Sequence, residues 1–229
     1  MLMMTTRRIT YGLLCVAVAG SLGFGAVGCG GSDETDRNAA DKSVTADKLC
    51  AVGAVNKAAV GALEVITGAT LFAPTGGESA VAAAAGELTR EAAPVNSGTG
   101  EVCSIYPRPE SGGPAAEIRV IWRLSSTPPE EDTARKFTRL PMGEKAGAAH
   151  DSAFVTFPCS PKDEPRAFPD HVSVWAQSQA MPTEAEGDVR PLKNAYATLA
   201  HSFALAMAKE LDCDDNAGLK AKPSLIPPS

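Results

Sequence analysis

Apolar and polar residues change their rhythm several times along this chain, and each change predicts a different structure. From Ile9 to Ser32 no charged residue occurs. Residues 30–46 then turn polar, with almost no large apolar side chain, and read as a flexible tether. At about 5–6 Å × √n such a tether reaches roughly 20–25 Å. Next, Leu49, Val52, Val55, Ala59, Leu63 and Ile66 recur at three- and four-residue steps, which predicts a helix over Asp47–Ile66. Thr45 or Asp47 is placed to cap it, and Gly68 to end it. An Ala-rich helix is predicted over Ser79–Ala92, after the Ala73-Pro74-Thr75-Gly76-Gly77 loop.

Beyond Pro94 the rhythm becomes two-residue. Val102–Tyr106 alternates. In Glu117–Ser125, Ile118, Val120, Trp122 and Leu124 share one face, and Glu117, Arg119, Ile121 and Arg123 the other. These two runs flank a Pro/Gly turn and predict an antiparallel hairpin. Further strands are predicted over Phe137–Met142, Ser152–Cys159 and His171–Gln179. A helix over Pro191–Asp212 follows, with Leu192, Tyr196, Leu199, Phe203, Ala206 and Leu211 in one stripe. Helices at both ends of a strand cluster predict an α+β fold. The expected sheet is antiparallel, of about four or five strands, with the N- and C-terminal helices on one face. The expected division is a signal over 1–28, a lipidated Cys29 and tether over 29–46, one domain over 47–215 and a disordered, Pro-rich tail over 216–229.

The N-terminus fixes the expected compartment. Arg7 and Arg8, a short apolar run and small residues at a cut site make an export signal. Ala26-Val27-Gly28-Cys29 resembles the lipobox of bacterial lipoproteins, with Ala26 in the place usually held by Leu. The resemblance implies that the Cys29 sulfur takes a diacylglycerol and becomes residue one after cleavage. Two acyl chains anchor stably where one binds marginally, at about 0.8 kcal/mol per buried CH₂. A plain signal peptide or an uncleaved membrane helix over the same run is the alternative.

Composition narrows the partners. The chain carries a net charge of −6. Loss of Arg7 and Arg8 with the signal takes it to about −8, which argues against nucleic acid and against an electrostatic grip on anionic lipid. Membrane contact is expected through the diacylglycerol on Cys29 alone. Of six cysteines, Cys15 leaves with the signal and Cys29 is lipidated. Cys50, Cys103, Cys159 and Cys213 are an even number in an exported chain and predict two disulfides. Three pairings are open, and Cys50–Cys103 with Cys159–Cys213 is the one expected. Each loop would close about 53 residues and contribute roughly 4 kcal/mol.

Catalytic signals are sparse. His150-Asp151-Ser152 carries triad residue types in one tripeptide, but triads assemble from separate loops, so a polar turn is expected. His171 and His201 are expected as surface or boundary residues. Glu130-Glu131-Asp132 reads as a solvated loop, and Glu184, Glu186 and Asp188 as acids ahead of a helix. Ser111-Gly112-Gly113 lacks the lysine of a phosphate loop. Trp122 and Trp175 could stack on sugars or another ligand, with sheet packing the preferred reading. No metal site, cofactor or catalytic residue is expected.

The layout of lipobox, tether, Leu49-Cys50, a strand with Cys103, Phe157-Pro158-Cys159 and a last helix closing at Leu211-Asp212-Cys213 resembles the uncharacterised secreted lipoproteins of actinobacteria. The resemblance implies a protein on the extracytoplasmic face of the cell membrane. Some proteins of this kind are thought to restrain envelope-stress signalling, others to bind ligands or wall components. The expected function is a non-catalytic binding or interaction module. A regulator docking on an envelope sensor and a cell-wall hydrolase are the alternatives.

Overall fold

In a computed structural model, the chain is described over residues 43–50, 53–75, 80–92, 97–108, 110, 116–126, 136–159, 171–180 and 187–228. The signal, Cys29 and most of the tether lie outside these residues, as do Ser111-Gly112-Gly113, Glu130-Glu131-Asp132, Glu184 and Glu186. Among the described residues no helix is long and apolar enough to cross a membrane.

In chain order the elements are β1 (Val44–Thr45), α1 (Lys57–Thr67), β2 (Leu71–Phe72), α2 (Ala80–Ala92), β3 (Ser97–Ile105), β4 (Ile118–Ser125), β5 (Thr138–Leu140), β6 (Lys145–Ala148), β7 (Ser152–Pro158), β8 (His171–Ser178) and α3 (Arg190–Glu210). The fold is α+β with antiparallel sheets. The main sheet has six strands in the order β3-β4-β8-β7-β6-β5, and β1 and β2 pair separately. The expected four or five strands are therefore corrected to six. The extra one, β6, is Lys145-Ala146-Gly147-Ala148, whose small side chains give no alternation to read.

Alternation sets the inner face. Ile118, Val120, Trp122 and Leu124 of β4 meet Val172, Val174 and Ala176 of β8, which meet Ala153, Val155 and Phe157 of β7, and all are buried. Gly100 of β3 faces Trp122, and a Cβ there would collide with the indole. Glycine thus makes room for the largest core side chain.

Helices cover this face, but the expected packing of the N-terminal helix on the sheet is corrected: the second and last helices lie there. α3 lies on β7, β8 and β6, and α2 lies on β3 and β4. α1 packs chiefly on α3. Residues Ala195–Ala204 of α3 are all buried, since α3 has the sheet on one side and α1 on the other.

α1 starts later than its spacing predicts. Cys50 takes a left-handed φ of 65° and is held by its disulfide, so the chain turns before it coils. Asn56 is the N-cap, its Oδ1 accepting from the Ala58 and Ala59 N–H groups. Gly68, at φ 64°, closes the helix as expected.

Two disulfides close the fold, Cys50–Cys103 and Cys159–Cys213. One ties the turn before α1 to β3. The other ties the end of β7 to the chain leaving α3.

The C-terminal segment also differs from the expectation. Residues 216–228 are not a free tail: Ala217 and Leu219 are buried, and Leu225 packs against the core. Its prolines prevent helix and strand, but two leucines suffice to seat it as a strap.

Candidate functional site

The expected chemical residues are kept apart. His150 precedes β7 and His171 opens β8, beside Pro158 at the far end of β7. At about 3.3 Å per residue, the length of β7 separates them by roughly 20 Å. His201 is on α3, on the other side of the sheet, and is buried rather than at a boundary. His171 Nδ1 lies 2.7 Å from Glu144 Oε2. Ser152 Oγ donates to Asp151 at 2.8 Å and accepts from Lys136 Nζ at 3.4 Å. A triad needs an imidazole between hydroxyl and carboxylate, and here the two are joined directly. Asp188 is bonded through both oxygens to Arg190, which holds its carboxyl down at about 2.

A carboxylate pair not foreseen from sequence stands on the outer sheet face. Ser104 Oγ lies 2.9 Å from Glu101 Oε1 and 2.8 Å from Glu117 Oε1, so its single proton serves one carboxylate at a time. Arg119 sits 3.4 Å from the first carboxylate and 3.6 Å from the second. The cross-strand pairing Ser104↔Arg119 brings them together. They lie on open sheet with the guanidinium alongside, so neither acid is set up for proton transfer in a cleft.

The two tryptophans part company. Trp122 is fully buried in the core. Trp175 is on the outer face, half-buried, with Phe154 stacked at 4.6 Å and the Arg123 guanidinium 4.5 Å from its centroid. Pairing in the sheet makes this sandwich: Phe154 is opposite Trp175 on β7, and Arg123 is its diagonal neighbour on β4, two residues beyond Ile121, which is directly opposite. Phe137 meets both rings edge-on, at 5.3 and 5.8 Å, and Lys136 Nζ lies 4.9 Å from the Phe137 ring. Both faces of the indole are thus occupied from within. A sugar or other flat ligand has no free ring face to stack on.

A concave feature among the described residues lies on the helical side. A cleft of about 580 Å³ opens between the turn before α1, the start of α2, the C-terminal half of α3 and the strap. One wall is Ser202, Leu205, Ala206, Lys209 and Glu210, a single stripe of α3 that runs from buried Ser202 to exposed Lys209 and Glu210. Val81, Ala82 and Leu219 add apolar surface. Ser202 Oγ donates to the Ala54 carbonyl at 2.7 Å and accepts from the Asn56 N–H at 3.0 Å, which fixes the floor. Asn56 spends its Oδ1 on capping, so its amide N–H₂ end is the part that does not serve the cap. Lys209 and Glu210 put one charge of each sign at the rim. The volume falls within the range of small-molecule sites, about 300–1,000 Å³.

Of these residues sequence reading singled out only Ala206, as a member of the apolar stripe of the last helix, because the others come from four separated segments. Within α3, Ser202 and Lys209 break the apolar pattern on one side. Among the described residues no group of three His, Cys, Asp or Glu is placed to hold a metal. No family model matches the chain, and neither do any curated proteins or solved structures.

Proposed function

We propose that this is a lipid-anchored extracytoplasmic protein whose domain is a binding module for a small ligand of the cell envelope, without catalysis. The observation that carries the reading is the α3 cleft. It joins apolar lining to a few fixed polar groups, the general make-up of a ligand site. The export signal and lipobox supply the location, through diacylglycerol on Cys29. The two disulfides are consistent with an oxidising compartment.

Docking on an envelope sensor has less support. That role calls for a contiguous apolar patch on the sheet. Among the described residues the exposed large apolar side chains, Val65, Leu71, Tyr106 and Ile226, lie off the six-stranded sheet.

The test uses the full-length protein made in a bacterial host of the lipoprotein-exporting kind. Native mass spectrometry of wild type and Ala206→Trp, each purified from membranes, is the measurement. Wild type is expected to carry a fatty-acylated Cys29 and a non-covalent adduct that the tryptophan displaces. No adduct on wild type, or one unchanged in Ala206→Trp, would remove the ligand reading. Cys29→Ala protein that still sediments with membranes would remove the anchor.

A further inference from the structure

The strap has a second cavity under it, and its chemistry differs from that of the large cleft. This one is about 160 Å³ and is lined by Met142, Gly143, His201, Lys220, Lys222 and Ser224, among others. It shares only Leu219 with the large cleft. One water needs about 10–15 Å³, so there is room for a small polyatomic ion. In a chain of net charge −6, its lining holds two lysines and no carboxylate. Glu144, next to Gly143, is engaged with His171 instead.

His201 is the informative group. It is 1% exposed, and its Nδ1 is buried with no hydrogen-bond partner. A hydrogen bond to the Lys220 backbone favours its protonated form, as donation to a carbonyl does. In the neutral tautomer that carries its proton on Nε2, the Nδ1 lone pair is left bare. Burial holds the imidazole below its usual pKa, so the neutral ring is the form near pH 7. A buried lone pair in this state calls for a donor from outside.

The backbone around it is costly. Asp215, Asn216 and Ala217 have φ of 45°, 50° and 59°, a left-handed turn built without glycine until Gly218. Each such residue costs on the order of 1 kcal/mol, and strain of this kind concentrates at functional positions. Gly143 is also left-handed, at φ 57°, and a Cβ there would collide with the Thr156 carbonyl.

We propose that this cavity binds a monoprotonated tetrahedral oxyanion, of the hydrogen phosphate kind. The P–OH donates to His201 Nδ1, while the charged oxygens accept from Lys220, Lys222 and the Ser224 hydroxyl. Sulfate carries the same shape but no proton at neutral pH. It would set an oxygen lone pair against that of the imidazole. The pair of cavities then gives the protein two separate sites divided by Leu219.

The experiment uses the full-length protein, purified from membranes in detergent, at pH 7. Inorganic phosphate, sulfate and glycerol phosphate are titrated, with thermal stability and the ¹⁵N signals of the His201 ring as readouts. Phosphate is expected to raise the melting temperature saturably and move the Nδ1 signal, with sulfate weaker by about ten-fold or more. Glycerol phosphate, at pH 7 mainly a dianion without a P–OH, is expected to bind as weakly as sulfate, which identifies free hydrogen phosphate as the ligand; tight binding of the ester would overturn the proton contact. Lys220→Gln with Lys222→Gln changes two exposed residues and is expected to fold and lose the phosphate response. Equal binding of sulfate and phosphate, a response that survives the lysine changes, or no movement of the His201 signals would overturn it. The last result would leave the cavity holding water only.

Discussion

Trp122 and Trp175 stand on opposite faces of neighbouring strands in the same sheet. Trp122 points inward, over Gly100, and the core closes around it. Trp175 points outward, where no helix lies among the described residues, and is closed by Arg123, Phe154 and Phe137. The inner face is sealed by whole elements, and the outer face by three side chains, two from neighbouring strands and one from the segment before β5. Each indole N–H is buried without a partner, so neither face satisfies its tryptophan completely. The contrast bears on why the proposed binding cleft sits on the helical side. The outer sheet has used its aromatic surface on itself, whereas Leu205, Ala206, Lys209 and Glu210 of α3 keep exposed surface in the cleft.

The largest expected effect comes from truncating each indole. Trp122→Ala should destabilise by about 3–5 kcal/mol, because a full aromatic is lost from a site that cannot collapse around α2 and α3. Trp175→Ala should cost about half as much, since solvent and Arg123 can fill the gap. Urea unfolding of both variants checks this. Equal losses would mean that the outer stack is as fully packed as the core and that the two faces do not differ.

A pH titration separates the faces by a second route. Tyr196, on α3, is buried on the inner side and hydrogen-bonded toward Ser178. Burial pushes its phenol up to about 12 from 10.0. The folded state therefore holds the proton more tightly than the unfolded chain. The gain is complete below pH 10 and is lost as pH rises towards 12. Two units correspond to roughly 2–3 kcal/mol. Tyr196→Phe should flatten this alkaline slope in urea midpoints measured between those limits. An unchanged slope would put the titrating group elsewhere.

The inner face was legible in the sequence because its residues contrast with their neighbours. Ile118, Val120, Trp122 and Leu124 alternate with charged residues, and the sheet face follows. β6 was not legible. Its Ala and Gly residues are small because Gly147 lies against Phe154 and Phe137, where a Cβ would be 2.8 Å from one ring. The start of α1 was misplaced for another reason: Leu49 and Val55 are buried by a disulfide-held turn, and burial alone mimics helical spacing. The strap was missed because prolines hide the two leucines that seat it. The cleft was out of reach, since its walls meet only after α1, α2 and the strap have docked on α3.

The smallest effect is the most specific. Arg123 is exposed, and its guanidinium covers the face of Trp175 opposite Phe154. Arg123→Met keeps the length and apolar stem while removing the cation and its planar fork, so only the attraction to the indole face is lost. About 0.5–1 kcal/mol is expected at an exposed site. Arg123→Lys should recover part of that, because an ammonium is attracted to the ring but does not lie flat on it. Thermal unfolding of the three proteins at low and high salt distinguishes the contributions. If neither change is felt, the guanidinium does not hold the ring face, and the indole is free to receive a flat ligand after all. In that case the outer sheet would return as a competing binding surface, and the α3 cleft would lose its advantage.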